Sequence, residues 1–200
     1  MPESDPNYPH AEVTLLQHAI GMAINAWSNF ERELYSLYLV MHGPYRGQPV
    51  TTNDPTVVFH AIINIDVKLD IITALLENNL GETSPFTERW NKIFKKKINK
   101  KKKIRNKIVH YELIVHHDRS NKNNEYTVFL NEPISDHRVV SKHGFGTSAG
   151  GALFTADVLK HMAEFFALTK LVNDFTTEIV ADGFAPQKPS PDKSQSEGQG

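Results

Sequence analysis

PFTERWNKIFKKKINKKKKIRNKIVHY, residues 85–111, is the stretch that decides the predicted fold. Ser84 is a capping residue and Pro85 suits the first helical position, so we expect a helix to begin here. Apolar residues then follow one helical stripe, namely Phe86, Trp90, Phe94, Ile98, Ile104 and Ile108. The stripe fades at Lys100–Lys103, where the helix either bends or continues with these lysines on its outer face. We favour a continuous helix.

Three other segments show the same helical spacing of apolar residues, in steps of three and four. They predict a first helix over Ala11–His42, a second from Pro55 to Gly81, and a last from Thr155 to Gly183. Glycine, proline and capping residues mark the ends of these segments. The stretch quoted above is therefore predicted to be the third of four helices.

The pattern changes between the third helix and the last. ELIVHH (112–117) and EYTVFL (125–130) are short β-prone runs separated by the polar segment DRSNKNN, which is a hairpin signal. Residues 131–154 contain prolines and glycines without a sustained period and predict a long surface loop. The predicted fold class is all-α, a four-helix bundle with a small β-hairpin and a long loop inserted before the last helix.

Length and composition fit one soluble domain. The chain has 200 residues, of which 40% are hydrophobic and 22% charged, close to the average for globular proteins. Residues 1–10 and 185–200 are polar and predicted to be disordered, which leaves a domain over 11–184. The absence of cysteine excludes disulfides, thiolate metal sites and a cysteine nucleophile, and fits a cytoplasmic location. No secretory signal or membrane span is predicted.

Charge is distributed unevenly along the chain. The formal net charge is -1, yet eleven of the 22 basic residues and no acidic residue lie between Arg89 and Lys107. The remainder therefore holds eleven basic residues against 23 acidic ones. This polarity predicts a local anion-binding surface, with nucleic acid as the most obvious polyanion. The alternative is a solvated helix face, because lysine is common at protein surfaces.

One spacing within this basic segment can carry chemistry. Arg105 is followed directly by Asn106 and, five positions later, by His110. Asn106 and His110 are one helical turn apart, and the side chain of Arg105 is long enough to reach round to them. A guanidinium binds phosphate oxygens through paired hydrogen bonds, and an imidazole transfers protons near neutral pH. The alternative is a basic helix end whose side chains only complement the last carbonyls.

Other arrangements are weaker candidates. Arg138 and His143 repeat the arginine–histidine separation, but a valine follows the arginine and the segment is a predicted loop, so we treat the pair as coincidental. The glycine-rich segment 144–151 lacks the lysine and hydroxyl residue of a phosphate-binding loop. His161 and Glu164 stand in the reverse of the order that a two-metal helical bundle needs, so no metal site is predicted.

RNKIVH, residues 105–110, resembles the motif of the HEPN family (higher eukaryotes and prokaryotes nucleotide-binding). That motif is an arginine, a polar residue, three further residues and a histidine, on the third helix of a four-helix bundle. The resemblance implies a HEPN-like domain over residues 11–184. Many HEPN proteins are metal-independent endoribonucleases that act as dimers, with both motif helices lining one cleft. Toxin members also carry a tyrosine two residues after the histidine, where this chain has Glu112.

The resemblance implies catalytic roles for Arg105, Asn106 and His110. It further implies a homodimer, no cofactor, and a toxin–antitoxin or defence setting with an antitoxin or nucleotidyltransferase-type partner. Single-stranded RNA is the expected substrate, because cleavage by a 2′-hydroxyl needs a flexible linkage. The residues expected to bind its backbone are Lys100, Lys101, Lys102, Lys103 and Lys107. The alternatives are a non-catalytic HEPN-like bundle that binds RNA, a nucleotide or a protein, and a purely structural helical adaptor.

Overall fold

The chain is described over residues 7–42, 55–117, 126–132 and 152–182 of a computed structural model. These residues are mostly helical and include a two-stranded antiparallel sheet. The elements are α1 His10–His42, α2 Pro55–Ala61, α3 Ile65–Leu80, α4 Pro85–Arg89, a π turn Trp90–Phe94, α5 Lys95–His110, β1 Glu112–His117, β2 Tyr126–Asn131 and α6 Thr155–Ala181. A mainly helical chain with a small hairpin before its last helix was predicted, and this coarse architecture is confirmed.

The first predicted helix is confirmed and begins one residue earlier than expected, at His10. Its buried stripe repeats at helical spacing and mixes small with large side chains, which are Leu16, Ala19, Ala23, Ala26, Trp27, Phe30, Leu34, Leu37, Tyr38 and Met41. Trp27 keeps its indole N–H satisfied by donating to a carboxylate oxygen of Glu31 at 2.6 Å. The apolar periodicity of the sequence therefore identified the buried face of α1.

The prediction of a single helix from Pro55 to Gly81 is wrong, because the chain leaves the helical conformation at residues 62–64. Asn64 is extended, with φ -78° and ψ 119°, and its side-chain oxygen accepts a hydrogen bond from the backbone N–H of Asp66 at 2.9 Å. An asparagine in this role caps a new helix and competes with continuation of the previous one. Gly81 ends α3 as predicted, with a φ of 91° that favours glycine.

α4, the π turn and α5 form one unbroken helix, Pro85–His110, which we name the basic helix. Ser84 caps it as predicted, since its hydroxyl accepts a hydrogen bond from the backbone N–H of Phe86 at 3.3 Å. The backbone stays right-handed helical at both junctions, Trp90 and Lys95. The favoured continuous helix is confirmed. The one local distortion is the π turn, which the sequence pattern did not indicate.

β1 and β2 form the predicted hairpin, in a register that pairs Leu113 with Leu130. Leu130 also exchanges two backbone hydrogen bonds with Leu153, at 2.8 and 2.9 Å. Only a surface loop was predicted over residues 131–154, so this bridge is a finding of the structure. It places Leu113, Leu130 and Leu153 side by side in one row of the sheet.

α6 begins at Thr155, which was predicted to be the residue just before the helix. The start is capped by Asp157, whose carboxylate accepts a hydrogen bond from the backbone N–H of Phe154 at 3.1 Å. The buried side chains of α6 recur at helical spacing and are Val158, Phe165, Leu168, Val172, Phe175, Thr176 and Ile179. The start of the last helix is therefore predicted to within one residue, and its predicted end at Gly183 lies outside the described residues.

The chain divides into two compact units. One contains residues 1–33 and 96–171, and the other contains residues 34–95 and 172–200. In the first unit, the ring of Trp27 meets Phe165 edge-on with centroids 5.3 Å apart. Ile98 of the basic helix is fully buried in this unit.

The second unit is built round the fully buried Trp90. Its ring stacks with Phe94 and Phe175 at centroid distances of 5.8 and 6.0 Å. Its indole N–H donates to the hydroxyl of Thr73 at 2.9 Å, and that hydroxyl donates in turn to the carbonyl of Leu69. An indole can be fully buried at low cost only when its N–H is paired in this way.

Several predicted features lie outside the described residues. They are the end of the first helix at Gly43, the hairpin loop 118–124, the glycine-rich segment, the Arg138–His143 pair and the C-terminal segment 185–200. In the part of the chain that is described, no helix combines the length and apolar character that crossing a membrane requires.

Two isoleucines in the same region provide a matched test of this core. Ile72 of α3 is 0% exposed and Ile63 is 96% exposed. We expect Ile72→Ala to lower the free energy of unfolding by about 2–5 kcal/mol through lost burial and the cavity left behind. Ile63→Ala should change it by less than about 0.5 kcal/mol. Urea unfolding of both variants measures the difference, and equal losses would contradict the burial of Ile72 and the exposure of Ile63.

Candidate nucleic-acid interface

The three motif residues lie in the last two turns of the basic helix. Arg105 is half-buried, whereas Asn106 and His110 are exposed. A guanidinium nitrogen of Arg105 donates to the side-chain oxygen of Asn106 at 3.3 Å. His110 is the final residue of the helix. The structure thus joins Arg105 to Asn106 and leaves His110 open to solvent.

Helical geometry explains why Arg105 and His110 differ in exposure. Successive residues are about 100° apart around a helix, so Asn106 and His110 differ by about 40° and share a face. Arg105 and His110 differ by about 140°. The side chain of Arg105 starts towards the buried side of the helix and turns towards Asn106. The backbone positions of Arg105 and His110 therefore lie on different sides of the helix end, and the guanidinium extends towards the side that carries Asn106.

The lysines next to the motif differ in exposure. Lys100 and Lys103 are exposed, whereas Lys102 and Lys107 are half-buried. The ammonium of Lys107 lies 5.7 Å from the ring centroid of Tyr111, within the range of a cation–π interaction. Lys100 and Lys103 are therefore the lysines best placed to meet a polyanion from solvent.

Lys101 differs from the other predicted RNA-binding lysines. Its side chain is 18% exposed, and its ammonium pairs with a carboxylate oxygen of Glu164 at 2.5 Å. The same oxygen is 2.7 Å from Nδ1 of His161, whose side chain is 17% exposed. The charge of Lys101 is thus compensated by Glu164 of α6, so this lysine is not part of the proposed polyanion-binding surface.

The carboxyl group of Glu164 responds to this environment. Its partial burial alone would raise its pKa, but the hydrogen bonds and positive charges of Lys101 and His161 outweigh that effect. Together they hold the pKa of Glu164 below the usual value of 4.5. Glu164 is therefore ionised under neutral conditions and fixes the ring of His161 through Nδ1.

Sequence reasoning did not find this cluster. The order of His161 and Glu164 predicts only that they do not form a metal site, and Lys101 is one of the lysines predicted to bind RNA. The spacing of three between the histidine and the glutamate on one helix was the available signal, because residues three apart on a helix are neighbours. The ion pair with Lys101 joins residues distant in sequence, so no local pattern could show it.

This helix end can perform two kinds of chemistry. Exposed ammonium groups and a guanidinium attract and bind phosphate oxygens, and a solvent-accessible imidazole can accept or donate a proton. Across the described residues, no group of three or more histidine, aspartate or glutamate side chains is arranged to hold a metal ion. Comparison with protein-family models, with curated proteins and with solved structures finds no match to this chain.

The ion pair at Glu164 makes a prediction about stability and pH. We expect Glu164→Gln to lower the free energy of unfolding by about 1 kcal/mol at pH 7, since Lys101 and His161 lose a charged partner. A carboxyl whose native pKa is lowered stabilises the fold above its ordinary pKa of 4.5, and the effect fades as pH falls from there through the lower native value. Urea titrations at several pH values should show the two proteins converging at acidic pH.

Glu82 provides the control for this measurement. It is exposed and lies in the turn after α3, with no ion pair to another described residue. Glu82→Gln should match the unsubstituted protein within about 0.5 kcal/mol at every pH. A Glu164→Gln variant as stable as Glu82→Gln at pH 7 would show that the cluster contributes nothing to stability.

Proposed function

We propose that this protein is a metal-independent endoribonuclease of HEPN type that cleaves single-stranded RNA. One observation carries the proposal. An unbroken basic helix with exposed lysines ends in an exposed histidine, with a half-buried arginine hydrogen-bonded to the asparagine beside it. This combination offers phosphate binding and proton transfer at one helix end. The proposal includes a HEPN-like four-helix arrangement and a cytoplasmic setting.

The proposed reaction is an internal displacement at phosphorus. The ribose 2′-hydroxyl attacks the adjacent phosphorus, the bond to the 5′-oxygen breaks, and the products are a 2′,3′-cyclic phosphate and a 5′-hydroxyl. His110 moves protons, and Arg105 stabilises the extra negative charge that develops on the phosphate oxygens. Asn106 holds the guanidinium of Arg105 through their hydrogen bond. Lys100 and Lys103, the exposed lysines that precede the motif, bind the RNA backbone.

A homodimer belongs to the proposal for a geometric reason. Arg105 and His110 are about 140° apart around the helix, so one copy presents them in different directions. In a cleft lined by two copies of the basic helix, Arg105 of one protomer can face the partner subunit's His110. An antitoxin or nucleotidyltransferase-type partner would regulate such an enzyme. The proposal of this partner rests on the resemblance to HEPN proteins.

The second candidate is a non-catalytic HEPN-like bundle that binds RNA. A specific observation favours it. Lys107 and His110 are the basic residues in the last turn of the helix, where the negative end of the helix dipole favours cations irrespective of any reaction. The two candidates differ in whether cleavage depends on Arg105 and His110 together, and this difference can be measured.

The cleavage experiment incubates the purified protein with mixed-sequence single-stranded RNA in the presence of a chelator. We expect cleavage that yields cyclic-phosphate ends. Arg105→Ala and His110→Ala should each lower the rate by about 10²–10⁴-fold, because charge stabilisation and proton transfer contribute effects of this size. Gel analysis of end-labelled RNA measures the rate and the chemistry of the ends.

The chain contains its own matched control. Arg138→Ala combined with His143→Ala removes the same two residue types at the same separation from another segment. This double variant should cleave at the rate of the unsubstituted protein. Intact RNA in every sample, despite binding, would reject the enzyme in favour of the non-catalytic bundle.

RNA binding makes a separate prediction about salt dependence. Replacing the exposed Lys100 and Lys103 by glutamine should make the slope of log affinity against log salt shallower by about 1.4, since each contact to single-stranded RNA contributes about 0.7. Lys101→Gln should leave the slope unchanged, because Glu164 already neutralises that ammonium. Fluorescence anisotropy with a labelled non-cleavable oligonucleotide measures both slopes. An unchanged slope in the first variant would favour a structural adaptor over either RNA-binding protein.

A further inference from the structure

The hairpin brings the end of α5 and the start of α6 to the two sides of strand β2. Leu113 lies three residues after the last residue of α5, and Leu153 lies two residues before the first residue of α6. Both flank Leu130 in one row of the sheet. Neighbouring strands are about 4.8 Å apart, so the two helix ends are held close together.

The Lys101–Glu164 ion pair fixes which sides of α5 and α6 face each other. Lys101 lies nine residues before the end of α5, and Glu164 lies nine residues after the start of α6. The two helices thus run antiparallel from the sheet to this pair. The pair also marks one position along the axes of both helices, from which the positions of other residues can be counted.

Arg105 and His161 lie at nearly the same distance along their helix axes from the Lys101–Glu164 ion pair. A helix rises 1.5 Å per residue, so Arg105 lies about 6 Å from Lys101 towards the sheet. His161 lies about 4.5 Å from Glu164 in the same direction. Arg105 is also only about 40° from Lys101 around α5, on the side that faces α6. A second histidine therefore lies opposite the motif arginine, on the side away from His110.

His161 has the surroundings of a proton-transfer residue. Its Nδ1 is 2.7 Å from the carboxylate of Glu164, which fixes the orientation of the ring. Its Nε2 forms no hydrogen bond to another described residue. This nitrogen is not buried, so it is accessible to solvent. A histidine held by a carboxylate at one nitrogen and open at the other is an arrangement that suits acid–base catalysis.

We propose that His161 is a second catalytic residue of this site, and that Glu164 positions it. His161 donates a proton from Nε2 to the 5′-oxygen as the phosphorus–oxygen bond breaks, while the 2′-oxygen forms its new bond to phosphorus and loses its proton to the partner subunit's His110. Arg105 binds the non-bridging oxygens between them. The carboxylate of Glu164 fixes the orientation of the ring through Nδ1. This inference rests on the proposed ribonuclease function.

The test uses His161→Asn, because an asparagine amide keeps a donor to Glu164 but cannot act as the acid. Two RNA substrates are compared, one natural and one with a single linkage in which sulfur replaces the 5′-oxygen. A thiolate leaves without protonation, so loss of a general acid matters only for the oxygen substrate. Far-UV circular dichroism and urea unfolding check that every variant is folded.

We expect His161→Asn to lower kcat on the oxygen substrate by about 10²–10⁴-fold with KM nearly unchanged. On the sulfur substrate its rate should be within about threefold of the unsubstituted protein. Glu164→Gln should lower kcat on the oxygen substrate by about tenfold, and the sulfur substrate should restore it as well. His18→Ala removes an exposed histidine of α1 and should cleave both substrates normally.

The outcomes separate this inference from the function on which it rests. RNA cleavage that needs Arg105 and His110 but survives His161→Asn would overturn the role of His161 alone. That role is also overturned if His161→Asn is equally slow on both substrates, since a structural defect would not respond to the leaving group. A folded protein that cleaves neither substrate would overturn the ribonuclease proposal, and the role of His161 with it.

Discussion

The basic helix must bury an apolar stripe although eleven of its residues are cationic, and this constraint organises both compact units. In one unit Trp90 stacks with Phe175, the ring of Phe94 contacts Phe175 at a tilt, and the indole N–H is paired with Thr73. In the other unit Ile98 is buried, and Lys101 reaches the inner side only because a carboxylate of α6 meets it. Most of the remaining positive charge has to face solvent, since the helix contains a single acidic residue in its first turns and none after it.

The same constraint gives the end of the helix two chemically different sides. The outer side carries Asn106 and His110 in solvent, and the inner side carries Lys101 and, close to it, Arg105. The hydrogen bond from Arg105 to Asn106 connects the two sides. A ribonuclease site would draw on both, because a phosphate must be bound while protons move on either side of the phosphorus. A protein that only binds RNA would need the outer side alone.

Much of the fold could be predicted because it depends on short-range rules. These rules act over a few residues. They are helix capping by Ser84, the helical spacing of apolar residues in α1 and α6, and the β-prone runs of the hairpin. The prediction of one helix after Pro55 was wrong because apolar spacing continued across Asn64, whose side chain bonds to the local backbone instead. The bridge between Leu130 and Leu153 could not be predicted, since backbone pairing between distant segments has no signature in composition.

The sequence by itself determined that a long cationic helix ends in arginine, asparagine and histidine, because charge count and helical spacing are properties of neighbouring residues. It also determined that Asn106 and His110 share a face. Only the tertiary structure decided which lysines remain available, since the pairing of Lys101 with Glu164 joins two helices far apart in the chain. The position of His161 near Lys101, through the shared carboxylate of Glu164, was likewise decided by the tertiary structure, because distances between helices depend on long-range contacts.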